Sequence, residues 1–230
     1  MTRRTNARVA GFAFLVYIAV AFTGFMLENR ATHGEGIAAK LASLVQHATE
    51  MRVAFVLELL GCFCALVLAV TLYAITRDQD PDLALLAMTF RVAEGVIGAV
   101  SVPRMLQQLW LATAAGADAP DPASASALGA VLLKLPYSSL GATFFAVGST
   151  IFAYLLLRGR IVPVALAWLG VVASVLAVVV LILQAVDVLG SPITDFMWLP
   201  MLAFEVLLAL WLIVKGAALP ARRPSVSPGA

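Results

Sequence analysis

Charge is what this chain has least of. Only 12% of its 230 residues are charged, where a soluble domain carries about a quarter. Cysteine and histidine are nearly absent too, with two of each. Cys62 and Cys64 share one apolar run, and on a helix their side chains point roughly 200° apart. They cannot bridge each other there and read as small apolar filler, so neither a disulfide framework nor a metal site is expected. His33 and His47 fall outside the apolar runs, where surface or capping roles outweigh metal or haem ligation. There is no Walker loop, Ser-His-Asp set, HExxH or Cys/His cluster, and no cofactor is expected. The formal net charge of +2 sits mainly at the ends of apolar runs. Topology explains it there, and no nucleic-acid partner is implied.

What is present is hydrophobic length: 62% of the residues are hydrophobic. Runs at 9–27, 53–76, 83–115, 135–157, 161–189 and 196–218 approach or exceed the roughly 20 residues that cross a bilayer. The expected fold is an all-α polytopic bundle of six transmembrane helices within one domain, 1–219, with a disordered tail over 220–230. The first run lacks a small-residue cleavage site and reads as an uncleaved span. The third is too long for one straight crossing. It must overshoot, tilt, or bend at Pro103, which frees the carbonyl of Ala99.

Basic residues set the orientation. Arg3, Arg4, Arg8, Arg77, Arg158, Arg160, Lys215, Arg222 and Arg223 lie on one side, against Arg30, Lys40, Arg52 and Lys134 on the other. The richer side is the cytoplasm, with both termini in it. Asp80 is placed to cap the helix that Pro81 begins. Residues 115–126 read as an outer Pro/Asp/Ala loop. Ile37, Leu41, Leu44, Val45 and Ala48 form a helical stripe, predicting a short outer helix that lies on the interface or packs as a lid. Trp110, Tyr137 and Trp198 fit an outer aromatic belt. Ser138, Ala142, Ala146 and Thr150 allow close helix packing, here within a monomer.

The rare charges carry the functional argument. Glu58, Arg91, Glu94 and Glu205 lie inside lipid-length runs, where an ionised group costs about 2.5–3.5 kcal/mol at the centre of a helix. Glu205 falls at the middle of the last span, Glu94 about 4–5 Å and Arg91 about 9 Å to the cytoplasmic side of the third span's centre. Arg91 and Glu94 are three apart and share a face. Glu205 is at the right level to join them, so a mid-membrane Arg91–Glu94–Glu205 network is expected. Glu58 and Arg104 form a second layer about 9 Å outward. Lys134, Gln184, Asp187 and Asp195 lie near the outer rim, with His47 able to close the mouth. Buried ion pairs also fix helix register without any chemistry. Two glutamates near one arginine leave a carboxylate short of a partner, which makes Glu58 and Glu205 the candidate catalytic residues if the protein is an enzyme.

The order of short motifs is itself informative. A basic start leads into the first span, followed by Gly34-Glu35, an outer helix ending Glu50-Met51-Arg52, and Phe90-Arg91-Val92-Ala93-Glu94 in the third span. Tyr154-Leu155-Leu156-Leu157-Arg158 then leads to Ile161-Val162-Pro163, and Phe204-Glu205 precedes Trp211-Leu212-Ile213-Val214-Lys215-Gly216. This set resembles the bacterial membrane-protein family DUF4386 over nearly the whole chain. The resemblance implies the six-span topology and singles out Arg91, Glu94 and Glu205, while naming no reaction.

Three functional classes fit these residues. The leading one is binding or transport of a small amphiphile in an outward-facing polar cavity formed by Glu58, Arg91, Glu94, Arg104 and Glu205. The second is a membrane enzyme using carboxylate acid-base chemistry on a lipophilic substrate, by analogy with membrane terpene cyclases. The third is a non-catalytic sensor or partner. The lipid bilayer of a bacterial plasma membrane is the expected environment, and the oligomeric state stays open.

Overall fold

The computed structural model describes residues 1–116, 119–134, 138–186, 188 and 191–217, and the side chains at 101, 134, 138, 139 and 191–195 lie outside it. The tail, Tyr137, Asp187 and the side chains of Lys134 and Asp195 are therefore outside the described residues. Among the described residues all regular structure is helical. The helices are α1 (Arg3–Ala31), α2 (Gly36–Gln46), α3 (Ala48–Thr76), α4 (Pro81–Ser101), α5 (Pro103–Thr113), α6 (Pro122–Lys134), α7 (Ser138–Arg158), α8 (Val164–Ala185) and α9 (Ser191–Val214). Six segments are long and apolar enough to cross a membrane, with α4 and α5 counted as one.

Local chemistry explains the boundaries. Thr2 caps α1, its hydroxyl accepting from the Thr5 amide at 3.1 Å. Its oxygen takes one of the amides a helix start leaves unpaired. Helix α1 starts six residues earlier and ends four later than the apolar run of 9–27, since polar ends extend a helix beyond the hydrocarbon. The turn after α1 uses Gly34 and Gly36, with φ of 134° and 81°, which residues with a Cβ rarely adopt. Asp80 caps α4 by accepting from the Leu83 amide at 3.1 Å and pairs with Arg158 at 2.9 Å. The Leu83 amide, and then the Arg158 guanidinium, hold its carboxyl below the usual aspartate range. The long third segment breaks at Pro103, where α5 begins.

The short helices refine the reading. Residues 122–126, expected as loop, begin α6. Asp121 starts it, accepting from the amides of Ala123 at 3.0 Å and Ser124 at 3.1 Å. Helix α2 has the expected extent, but Leu44 is fully buried with Ala31, Met51, Ala54 and Met105. It is packed as a lid. Gly129 admits α6 to this layer, since a Cβ there would stand 2.6 Å from Ile37 Cγ2.

The crossing helices form a closed ring. Each packs on two neighbours, in the order α1, α3, α4, α7, α8, α9 and back to α1. Both ends of the described chain lie on one side, where Arg3 pairs with Asp78 at 2.9 Å and Gly216 approaches the Arg4 side chain. This is the terminal side; α2, α5 and α6 cover part of the opposite, lid side. Packing on the terminal side is close. A Cβ on Gly11 would stand 2.7 Å from the Ala209 carbonyl, so the backbones of α1 and α9 come close together. Association inside a bilayer depends on such contact, because lipid tails are as apolar as leucine.

Candidate functional site

Ring geometry places the rare charges. On α4 the positions 84, 87, 91, 94, 95 and 98 share one face, and it is the buried one. On α9 the buried stripe Met201, Phe204, Glu205, Leu208 and Leu212 turns Glu205 inward, away from the exposed Leu199, Leu202, Leu207 and Leu210. Arg91 is 1% exposed, and Glu94 and Glu205 are each 7% exposed. All three face the interior of the ring.

Arg91 Nη1 stands 2.9 Å from Glu94 Oε2. The pair is close but misaligned, for none of the three Arg91 nitrogens makes a hydrogen bond. The guanidinium instead lies over two rings, with Cζ 5.7 Å from the Tyr17 centroid and 4.8 Å from that of Phe145. Aromatic faces attract a desolvated cation by about 2 kcal/mol. Tyr17 also donates its hydroxyl proton to Glu94 Oε1 at 2.8 Å. It reaches across the ring to do so, because α1 and α4 are not neighbours. Glu205 lies within Coulombic reach of Arg91, Glu94 and Tyr17. Among the described residues it has no hydrogen bond or ion pair. Arg91, Glu94 and Glu205 are thus brought together, with one carboxylate paired and the other unpaired.

The second layer holds Arg104, Glu28 and Glu58. The ion-pair partner of Arg104 is Glu28, Nη2 to Oε1 at 3.3 Å, and its Nη1 donates to the Leu132 carbonyl at 3.1 Å. Gln108 Nε2 donates to the same carbonyl at 2.8 Å. Arg104, in the first turn of α5, thus bonds to α1 and α6. Glu58 is close enough to feel the charges of Glu28 and Arg104 but forms no ion pair with either.

Glu58 occupies an unusual position. The exposed apolar stripe of α3 runs through Val53, Val56, Leu60, Phe63, Val67 and Val70. At about 100° per residue, Glu58 points roughly 170° away from the centre of that stripe. It shares the inward face with Met51, Cys62, Ala65 and Ala69, all of them buried. Yet Glu58 is exposed. An inward-facing residue that solvent still reaches lines a crevice inside the ring. Glu58 and Glu94 lie within Coulombic reach of each other and of Cys62. Close α3–α4 contact keeps them near: a Cβ on Gly95 would stand 3.1 Å from the Cys62 carbonyl.

On the lid side, a separate pocket of about 700 Å³ is lined by Asn29, Arg30, His33, Ala39, Ala42, Ser43, Gln46 and His47. His47 Nδ1 lies 3.0 Å from the Ser43 carbonyl, so this ring is tied to its own helix. Gln184 is half-buried. Among the described residues no group of three His, Cys, Asp or Glu side chains is arranged to hold a metal.

Sequence reasoning missed Tyr17, Phe145, Glu28 and Gln108. The signal for Tyr17 was its place on the Ala7, Ala10, Phe14 face of α1. Glu28, at the end of the first apolar run, carried no more than its charge.

No curated protein and no solved structure matches the chain. Residues 9–216 match the family described as "Domain of unknown function (DUF4386)". The match spans the six membrane-length segments and every charge of the ring interior, and the chain belongs to this family.

Proposed function

We propose that this protein binds, and moves or presents, a small amphiphilic molecule through the crevice at Glu58, from the outer face of a bacterial plasma membrane. The observation that carries this reading is the exposure of Glu58 on the inward face of α3. A charged side chain at membrane depth lines a watery or ligand-filled cavity, pairs, or is neutralised. Glu58 has no ion pair among the described residues, and its exposure favours the cavity over neutralisation in a buried site. The basic residues at the terminal side, including Arg3, Arg4, Arg8 and Arg158, support a cytoplasmic placement of both termini. The lid of α2, α5 and α6 then faces outward, beside the crevice. Glu58 and Arg104 meet an entering ligand first, and Arg91, Glu94 and Glu205 form the floor. An amphiphile fits because the crevice pairs charged groups with apolar walls.

The test is mass spectrometry of small molecules retained by the purified protein. The wild type should retain a discrete species that Glu58→Gln and Arg104→Gln lose while remaining folded. Identical retained species in all three proteins would reject the reading.

A further inference from the structure

Among the described residues the two layers hold six charges, and these do not balance. Two arginines, Arg91 and Arg104, face four carboxylates, Glu28, Glu58, Glu94 and Glu205. Two ion pairs form, Arg91 with Glu94 and Arg104 with Glu28, leaving Glu58 at the crevice mouth and Glu205 at its floor. Glu205 is 7% exposed and has no partner among the described residues. A buried carboxylate without a donor is costly, by more than the hydrogen bond it lacks. Resting on the proposal that the crevice binds a ligand, we propose that its ligand is an organic cation. An ammonium group on an apolar body is attracted by Glu58 and lodges against Glu205.

The competing chemistry is an anion held by Arg91, whose guanidinium nitrogens make no hydrogen bonds. Geometry disfavours it. The guanidinium already lies over the Tyr17 and Phe145 rings, and Glu94 stands 2.9 Å from its Nη1. An anion there would also sit beside Glu94 and Glu205 in a low-dielectric interior, where like charges repel strongly. A cation meets the opposite field from those carboxylates. It also finds aromatic surface, since the Phe145 ring that covers Arg91 stands 6.1 Å from the ring of Trp198, and aromatic faces favour ammonium groups. The ammonium protons would supply Glu205 with the donors it lacks.

Isothermal titration in maltoside micelles with hexylammonium, hexanol and hexanoate tests the charge of the ligand at constant chain length. Hexylammonium should bind the wild type at least about tenfold more tightly than hexanol, with hexanoate weakest, as one charge-assisted contact implies. Glu205→Gln and Glu58→Gln should each erase most of that preference while leaving hexanol unchanged. Should Glu205→Gln fail to fold, the wild-type ranking and Glu58→Gln still decide the matter. Equal affinity for all three probes, or a preference for hexanoate, would overturn the cation assignment while the binding crevice stands. Binding of none of them would remove both.

Discussion

The two charged layers have the same ingredients, one arginine, one paired glutamate and one unpaired glutamate, yet opposite surroundings. In the inner layer Arg91, Glu94 and Glu205 are buried, and aromatic rings flank the cation. In the outer layer the Arg104 and Glu28 side chains are 22% and 31% exposed, and Glu58 is open. Burial sets what each charge costs when its partner is lost. It separates an inner layer whose charges are costly to leave unpaired from an outer layer that an entering ligand meets first.

Deleting the arginine of each layer gives the sharpest contrast. Arg91→Met should destabilise the protein by about 3–5 kcal/mol, because two carboxylates remain buried without a cation. Adding Glu94→Met and Glu205→Leu to it should recover most of the loss. Arg104→Met should cost only about 1–2 kcal/mol, since Glu28 retains access to water. Unfolding in mixed micelles measures both, and equal costs would erase the distinction between the layers.

Glycines on α1 probe the packing around the same layers. Gly11→Ala forces a Cβ against the Ala209 carbonyl and should cost about 1–3 kcal/mol. Gly24, nearer the outer layer, has its closest approach at 3.6 Å, to Leu57 Cβ. Gly24→Ala should be neutral or stabilise by about 0.5–1 kcal/mol through helix propensity. Glu58→Gln should change stability by less than about 0.5 kcal/mol, even as it removes ligand retention.

Asp80 provides a reference carboxylate outside the membrane. Its folded form titrates below the ordinary aspartate range, chiefly because the Leu83 amide holds the ionised state. A depressed pKa contributes stability above the unfolded value of about 3.9 and loses it as pH falls through the folded value. The stability gap between wild type and Asp80→Asn should therefore be constant near neutrality and close in acid. A gap that persists at low pH would show that capping acts through the neutral side chain.

The spans were legible because apolar length is a strong signal, and Arg91 with Glu94 because three-residue spacing fixes a shared face. Pro103 announced its break. Other features needed the third dimension. Asp121-Pro122 carries the same helix-start chemistry as Asp80-Pro81, yet the short, small-residue segment after it reads as loop. Depth placed Arg104 and Glu58 in one layer, but depth does not say which groups Arg104 meets. In the structure these are Glu28 and the Leu132 carbonyl. Tyr17 was hidden because a lone tyrosine in an apolar helix has no pattern, and its reach to Glu94 depends on ring closure.

Thiol labelling of α3 tests the crevice most directly. With Cys62 and Cys64 replaced by alanine, single cysteines at Glu58, Val56 and Leu60 are exposed to a hydrophilic, membrane-impermeant reagent from outside. Glu58→Cys should react at least about tenfold faster than Val56→Cys or Leu60→Cys, because a thiol must meet water to ionise and react. Equal or slower labelling of Glu58→Cys would mean that water does not reach the ring interior, and the account of a charged, open crevice would be wrong.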